Sequence, residues 1–141
     1  MSRILAIDYG IKRIGLAVTD PSNIIATPLT TVKTQDILPF LYSYIKKECV
    51  KTFVIGMPKR LNGTSSSTTI IVKKFIEVLK KAFPDQCILE WDERYTSKIA
   101  SNSVAYIGMK KHNSLYKETI DMVSAALILQ SFMETTRQKK S

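Results

Sequence analysis

The sequence has few of the residues on which disulfide-bonded, zinc-binding or membrane-embedded proteins depend. It contains one histidine, His112, in a polar stretch, and two cysteines, Cys49 and Cys87, outside any C-x-x-C arrangement. The small number of these residues and their spacing argue against a zinc site and against a disulfide framework. No apolar run reaches the roughly 18 residues that a transmembrane helix needs, and because a strand-like segment starts at Arg3 we expect no targeting peptide. We therefore expect a cytoplasmic protein with no membrane contact, whose cysteines are reduced core thiols.

Acidic residues are also scarce relative to basic ones. The 141 residues include 21 Lys and Arg against 12 Asp and Glu, which gives a net charge of +9 and a sequence pI near 9.6. Such a balance indicates an anionic partner, of which nucleic acid is the commonest, although a solvated basic surface is the simpler alternative. The length and the 45% hydrophobic fraction predict one globular domain over residues 1–141.

Hydrophobic patterning predicts alternating strands and helices along the chain. An unbroken apolar run, Ile4-Leu5-Ala6-Ile7, indicates a buried first strand, and amphipathic periods indicate the helices. Strands are predicted over 3–9, 14–19, 24–32, 51–57 and 87–91, and helices over 37–49, 68–83, 96–107 and 117–135. Segments 59–67 and 108–114 are polar and are predicted to be loops.

The connections between these elements predict an α/β fold. Short turns join the first three strands, so these should be antiparallel neighbours. Helices follow strands three and four, so right-handed crossovers should place strands four and five parallel to strand one. The expected architecture is one mixed five-stranded sheet, with three antiparallel strands then two parallel ones and with helices on both faces.

Two of the predicted strands end in carboxylates. Asp8 follows the apolar first strand, and Asp92 and Glu93 end the fifth. Parallel strands bring their carboxyl ends to one edge of the sheet, where ligands bind in α/β proteins. Side chains alternate along a strand, so only one of Asp92 and Glu93 can share a face with Asp8. The simpler alternatives are a turn-forming Asp8 before Gly10 and helix capping by the later pair.

Asp121 is an acid within a strongly apolar predicted helix. The surrounding segment, 120–129, contains little else that is polar, so this helix should be buried. A buried carboxylate requires a cation or a hydrogen-bond donor. The predicted start at 117 places Asp121 in the first helical turn, where the helix dipole offers only about 0.3–1 kcal/mol. A first-turn acid at a partly wet helix end is the alternative.

Asp8, Asp121 and one of Asp92 and Glu93 together form a predicted catalytic and metal-binding site. Three hard oxygen donors that are remote in sequence can converge on Mg²⁺ or Mn²⁺. Such an ion polarises a phosphate and activates water for in-line attack, and no histidine is required. A basic surface around the acids would attract the nucleic-acid backbone.

Four groups of motifs extend over nearly the whole chain. They are Ala6-Ile7-Asp8-Tyr9-Gly10 with Lys12-Arg13-Ile14-Gly15-Leu16-Ala17, Val54-Ile55-Gly56-Met57-Pro58 with Asn62-Gly63, Asp92-Glu93-Arg94-Tyr95-Thr96-Ser97, and Ile120-Asp121 with Ser124-Ala125-Ala126-Leu127-Ile128-Leu129-Gln130. In this order and spacing they resemble the YqgF family, also called RuvX, which is associated with Holliday junction resolution and with pre-16S rRNA cleavage.

The resemblance implies an RNase H-like fold, a cytoplasmic setting and a nuclease that matures the 5′ end of small-subunit ribosomal RNA. By position it implies Asp8, Glu93 and Asp121 as the acidic site. Related resolvases carry a fourth acid near the place of Ser124. Its absence favours one firmly held ion, with a second recruited by the substrate.

Several basic residues are predicted to surround the acids and to contact phosphates. They are Lys12, Arg13, Lys59, Arg60, Arg94, Lys110 and Lys111. Each could instead be an ordinary exposed charge, and Arg94 could orient a carboxylate. Tyr9 and Tyr95 flank two acids and could stack on bases, although core packing is equally compatible with Tyr9. Trp91 is predicted to belong to the core.

Three functional hypotheses remain open at this stage. The first is a metal-dependent nuclease that acts on structured nucleic acid, with RNA favoured and a DNA junction as the alternative substrate. The second is a non-catalytic RNA-binding assembly factor on the same fold. The third is an ATPase, because Asp8-x-Gly10 also resembles one phosphate loop of actin-like folds, but those folds need two domains. We expect a monomer or a weak homodimer, whereas a junction resolvase would require a symmetric dimer.

Overall fold

The computed structural model describes residues 2–57, 67–92 and 114–140, and every structural statement below concerns these residues. The strands are β1 (Arg3–Asp8), β2 (Arg13–Thr19), β3 (Ala26–Lys33), β4 (Val50–Met57) and β5 (Cys87–Asp92). The helices are α1 (Ile37–Lys47), α2 (Ser67–Ala82) and α3 (Ser114–Lys140), and a 3₁₀ turn, Thr34–Asp36, precedes α1. The predicted helix over 96–107 lies outside the described residues.

The five strands form a single sheet in the order β3-β2-β1-β4-β5. β1 pairs antiparallel with β2 and parallel with β4, β2 pairs antiparallel with β3, and β4 pairs parallel with β5. The predicted sheet of three antiparallel strands followed by two parallel strands is therefore confirmed. The central position of β1 also places Asp8 in the middle of one sheet edge.

The two faces of the sheet carry separate hydrophobic clusters, because side chains alternate along each strand. Leu5, Ile7, Ile14, Leu16, Phe53 and Ile55 lie on one face and pack with residues of α1 and α2. Ala6, Ala17 and Val54 lie on the other face and pack against Ala125, Ile128 and Leu129 of α3. Small strand residues on the α3 face allow this helix to lie close to the sheet. The prediction of helices on both faces is confirmed.

The last helix begins earlier than predicted. α3 starts at Ser114 instead of at residue 117, so Asp121 lies in its third turn. The prediction that Asp121 is a first-turn acid was therefore wrong, and the stabilisation expected from the helix dipole does not apply to it. The compensation for its partial burial comes from another part of the chain, as described below.

Both cysteines are free but exposed, so the prediction of core thiols was wrong. Cys49 lies in the turn between α1 and β4, where its carbonyl accepts a hydrogen bond from the Arg3 amide at 2.7 Å. Cys87 opens the edge strand β5, which has a neighbour on only one side. Exposure follows from these positions: one thiol is in a turn and the other is at a sheet edge.

The aromatic residues near the acids are only partly buried. Tyr9 packs on the α2 cluster with its ring centroid 4.6 Å from that of Phe75, which agrees with the core alternative. Trp91 was predicted to be core but is half-buried. Its ring packs edge-on against Phe132, and its indole N–H donates to the Ser131 hydroxyl at 3.2 Å.

None of the described helices is long and apolar enough to cross a bilayer.

Candidate active site

Asp8 lies at the carboxyl end of β1, on the face of the sheet that α3 covers. It follows the alternation that begins at Ala6, whose side chain packs against α3. Its partner across the antiparallel pair is Gly15 on β2, and the parallel register continued by one residue places Gly56 of β4 on its other side. Glycines flank the half-buried carboxylate on both neighbouring strands, so neither strand places a side chain beside it.

Gly15 also brings Asp121 to the same place. A Cβ atom built on Gly15 would lie 2.0 Å from the backbone oxygen of Asp121 and 2.8 Å from its Cβ. The third turn of α3 therefore rests directly on the backbone of β2, one strand spacing (about 4.8 Å) to the side of Asp8. Two acids that are far apart in sequence thus become neighbours on one face, near one edge of the sheet.

Arg13 supplies the cation that the partly buried Asp121 needs. Its Nε donates a hydrogen bond to Oδ2 of Asp121, and the exposed fractions of the two side chains are 34% and 22%. Burial raises the pKa of the Asp121 carboxyl above its ordinary value, Arg13 opposes this rise, and Glu118 adds to it. We predicted Arg13 to contact phosphate and did not foresee this pairing. The sequence feature that could have indicated this pairing is the side-chain alternation along β2, which places Arg13, Gly15 and Ala17 on the same face of the sheet.

A cavity of about 320 Å³ lies in front of Asp121. It is lined by Gly10, Ile11 and Lys12 of the β1–β2 connection, by Arg13 at the start of β2, by Thr68 of α2 and by Asp121. The connection is tied to Thr34, whose hydroxyl donates to the Gly10 carbonyl at 2.6 Å and whose amide donates to the Lys12 carbonyl at 3.1 Å. Thr68 belongs to the first turn of α2, so the positive end of this helix dipole lies close to the cavity. The surroundings suit an anionic group.

A second cavity, of about 430 Å³, lies between α2 and β5, and it contains none of the predicted site residues. Its lining includes Glu90 of β5, which places the side chains of Glu90 and Asp92 on the α2 face of the sheet. Asp92 therefore faces away from Asp8, and of the pair at the end of β5 it is the one that the alternation excludes from the site.

Six of the predicted site residues lie outside the described residues. They are Glu93 among the acids and Lys59, Arg60, Arg94, Lys110 and Lys111 among the basic residues. The structure gathers Lys12 of the β1–β2 connection, Arg13 of β2 and Asp121 of α3 around one cavity, and it pairs Asp8 of β1 with the Gly15 on which Asp121 rests. Glu93 keeps its place in the site as a prediction.

Ser124 occupies the position three residues after Asp121, at which related resolvases are expected to carry an acid. Its side chain is 1% exposed, and its hydroxyl oxygen has no hydrogen-bond partner in the described part of the chain. An ionised carboxylate in so enclosed a position would be costly without a cation beside it. A neutral hydroxyl there is consistent with a site that has one fewer acid.

Two of the described carboxylates suit a hard divalent cation. Asp8 and Asp121 offer carboxylate oxygens on one face with glycines beside them, which fits Mg²⁺ or Mn²⁺. Among the described residues no three His, Cys, Asp or Glu side chains form a metal-ligand group. The described part of the chain thus offers two carboxylates as candidate ligands, and Arg13 pairs with one of them.

Replacing Asp121 by Asn is expected to stabilise the fold at neutral pH. The raised pKa of Asp121 means that the folded state binds this proton more tightly than the unfolded chain. The resulting stability is complete below the unfolded pKa of about 3.9 and is lost as the pH rises through the folded pKa. We expect urea denaturation to give a higher free energy of unfolding for Asp121→Asn than for wild type at neutral pH, with the gap closing towards about pH 3.

Asp20→Asn provides a control with the opposite sign. The pKa of Asp20 is lowered because its carboxylate accepts backbone hydrogen bonds from Ile25 at 2.8 Å, Ile24 at 2.7 Å and Ser22 at 3.3 Å. Its contribution to stability is present above the unfolded pKa and is lost as the pH falls through the folded pKa, so Asp20→Asn should destabilise at neutral pH. If Asp121→Asn destabilises in the same way, its ion pair outweighs its burial and our assignment of the sign is wrong.

A mixed five-stranded sheet in this order, with a carboxylate ending the central strand and another on the final helix, defines an RNase H-like domain. Two structures of RuvC from Thermus thermophilus share the fold. One, in complex with a Holliday junction substrate, has a TM-score of 0.54 at 14% identity and covers 94% of this chain and 96% of its own. The other has a TM-score of 0.51 at 13% identity and covers 94% and 97%.

The chain belongs to the RuvX family. The family model, described as Holliday junction resolvase, matches residues 2–135. Relatives that carry the name "Putative pre-16S rRNA nuclease" include one from Amoebophilus asiaticus, 49% identical and covering 98% of both chains, and one from Porphyromonas gingivalis, 46% identical and covering 95% of this chain and 97% of its own. The resemblance seen in the motifs is thereby confirmed.

Proposed function

We propose that this protein is a metal-dependent nuclease that hydrolyses phosphodiester bonds in structured nucleic acid. The observation that carries the proposal is that Asp8 pairs with Gly15, on whose backbone Asp121 packs, while Asp121, Lys12 and Arg13 line one cavity. Because the relatives share more than two fifths of their residues with this chain, 5′-end processing of pre-16S rRNA in the cytoplasm is the favoured role.

In this proposal Asp8, Glu93 and Asp121 hold Mg²⁺ or Mn²⁺. Bound there, the ion would supply Lewis-acid polarisation of a phosphate and lower the pKa of a water nucleophile. The side-chain alternation along β5 argues against Asp92 as the third acid, because it places Asp92 on the α2 face, away from Asp8. The absence of a fourth acid at Ser124 favours one firmly held ion.

The chain's own residues would bind and orient the substrate. Lys12 and the first turn of α2 would attract phosphate groups to the cavity, and Gly15 allows α3 to bring Asp121 close to Asp8. We assign further phosphate contacts to the basic residues outside the described part of the chain, namely Lys59, Arg60, Arg94, Lys110 and Lys111. Long lysine and arginine side chains there would extend the positive surface around the acids.

A Holliday junction resolvase is the second candidate, favoured by the description of the family model. A symmetric junction is cut by two active sites, so this function requires a homodimer, whereas rRNA end processing needs a single site. We expect the purified chain to be a monomer or a weak homodimer. Light scattering at the concentration used for cleavage assays measures this directly.

A substrate competition tests the proposed function. Purified protein with Mn²⁺ is incubated with an RNA that spans the 5′ end of 16S rRNA and its leader, and with a four-way DNA junction of matched length. We expect cleavage of the RNA near the mature end and about tenfold or slower cleavage of the junction, which corresponds to about 1.4 kcal/mol of discrimination. Paired symmetric cuts in the junction, with the RNA left intact, would instead establish the resolvase.

A further inference from the structure

The ion pair between Arg13 and Asp121 lies at the candidate active site, where a role in fold stability alone does not account for its position. The described residues contain two ion pairs, of which the other, Arg3 with Glu48 at 3.2 Å, joins the start of β1 to the end of α1. Arg13 instead opens β2 beside the site, and its guanidinium touches one of the two described carboxylates proposed to hold a metal ion. It occupies a place that a cation at Asp121 would need.

We infer that Arg13 is a positioning residue that neutralises Asp121 until a divalent ion binds and then transfers its guanidinium to a phosphate of the nucleic acid. The inference rests on the proposed function, because it concerns the same carboxylates. A divalent ion carries twice the charge of a guanidinium, so it competes effectively for the same oxygen and repels Arg13. The cavity of about 320 Å³ that Arg13 lines gives the released side chain a place to meet a phosphate.

This exchange couples the binding of the ion to the binding of nucleic acid. Without the ion, Arg13 is engaged by Asp121 and contributes little to phosphate binding. With the ion, the guanidinium is free, and planar bidentate contact with phosphate is the geometry it prefers. Reciprocity then requires that nucleic acid tighten ion binding by the same factor as the ion tightens nucleic-acid binding.

Calorimetric titration of the full chain with Mn²⁺ alone gives the first test. We expect Arg13→Gln to tighten Mn²⁺ binding about three- to tenfold, because it removes both a competitor and a nearby positive charge. Lys12→Gln is the matched control, since it removes the same charge beside the same cavity while the Arg13–Asp121 pair remains. Its effect should stay below about twofold, as expected for an exposed charge.

Fluorescence anisotropy with a labelled RNA hairpin gives the second test, with Ca²⁺ in place of Mg²⁺ to limit cleavage. For wild type, we expect Ca²⁺ to tighten RNA binding and to steepen its salt dependence by about one phosphate contact. Arg13→Gln should lose this Ca²⁺-dependent gain and bind as wild type does in its absence. Lys12→Gln should weaken RNA binding equally with and without Ca²⁺.

Unchanged or weaker Mn²⁺ binding by Arg13→Gln would overturn the inference, and so would a Ca²⁺-dependent gain that survives in this variant. Neither result bears on the proposed nuclease function, which depends on RNA cleavage by the wild-type protein and on the loss of cleavage in Asp8→Asn.

If Arg13→Gln fails to fold, Arg13→Lys serves as the second variant, because it retains the positive charge but not the planar guanidinium. The Mn²⁺ affinity of Arg13→Lys should then lie above that of wild type and below about three times that of Lys12→Gln. An affinity at or below that of wild type would overturn the inference.

Discussion

Asp8→Asn is expected to reduce the rate of RNA cleavage by at least about a hundredfold, comparable with the loss of one well-placed electrostatic group in other enzymes. The substitution removes the negative charge at the centre of the sheet edge while keeping the shape of the side chain. RNA binding, which depends mainly on the basic residues, should stay within about threefold of wild type. Single-turnover cleavage with Mn²⁺ and anisotropy under the same salt conditions measure the two quantities separately.

Asp85→Asn is the matched control for this variant. Asp85 is an exposed aspartate in the turn between α2 and β5, so the same chemical change there should leave cleavage unaltered. If wild type cleaves no RNA and Asp8→Asn retains full binding, the non-catalytic assembly factor becomes the better description. If both variants cleave as fast as wild type, Asp8 has no catalytic role.

Gly15→Ala is expected to lower the free energy of unfolding by about 2–4 kcal/mol, which corresponds to a fall in Tm of about 5–15 °C. The added methyl group would lie 2.0 Å from the carbonyl oxygen of Asp121 and 2.2 Å from its carbonyl carbon. Neither atom can rotate away, because both belong to the backbone of α3. The helix must move off the sheet, and Asp121 moves with it, so Mn²⁺ affinity should fall by about tenfold or more.

Ile14→Val separates this effect from an ordinary loss of core packing. Ile14 precedes Gly15 but points to the opposite face, where it is fully buried in the α1 and α2 cluster. Its truncation should cost about 0.5–1.5 kcal/mol and leave Mn²⁺ affinity unchanged. A stability of Gly15→Ala equal to that of wild type would show that α3 does not rest on β2 as described.

The sheet topology was predictable because its determinants are local. An apolar run such as Ile4–Ile7 indicates a strand that is buried on both faces of the sheet. The length of each connection then distinguishes a hairpin from a crossover. The order of the strands then follows from few alternatives. Helix and strand ends were less predictable: β3 begins at Ala26, two residues later than expected, because Asp20 holds Ile24 and Ile25 in a turn through its side chain.

The candidate acids Asp8 and Asp121 were predicted by a local argument, since a carboxylate in an apolar segment needs a partner. The identity of that partner was not local. Arg13 and Asp121 are separated by 108 positions, and their contact depends on the close approach of α3 to Gly15. The side-chain alternation along β2 places Arg13 on the α3 face of the sheet. It does not distinguish a contact with phosphate from a contact with Asp121.

The exposed cysteines show a similar limit. Cysteine is most often buried, which made core thiols the reasonable expectation. Whether Cys87 is buried depends on which strand forms the edge of the sheet, and β5 has β4 as its only partner in the described sheet. Edge position is a property of the assembled sheet and cannot be read from the composition of one strand.

The most direct measurement is anomalous diffraction from a crystal soaked in Mn²⁺. We expect one strong peak on the α3 face of the sheet, with carboxylate oxygens of both Asp8 and Asp121 about 2.0–2.3 Å away. A protein that binds Mn²⁺ elsewhere, or whose Asp8 and Asp121 share no ion at saturating Mn²⁺, would contradict the proposal that these two acids form a metal-dependent nuclease site.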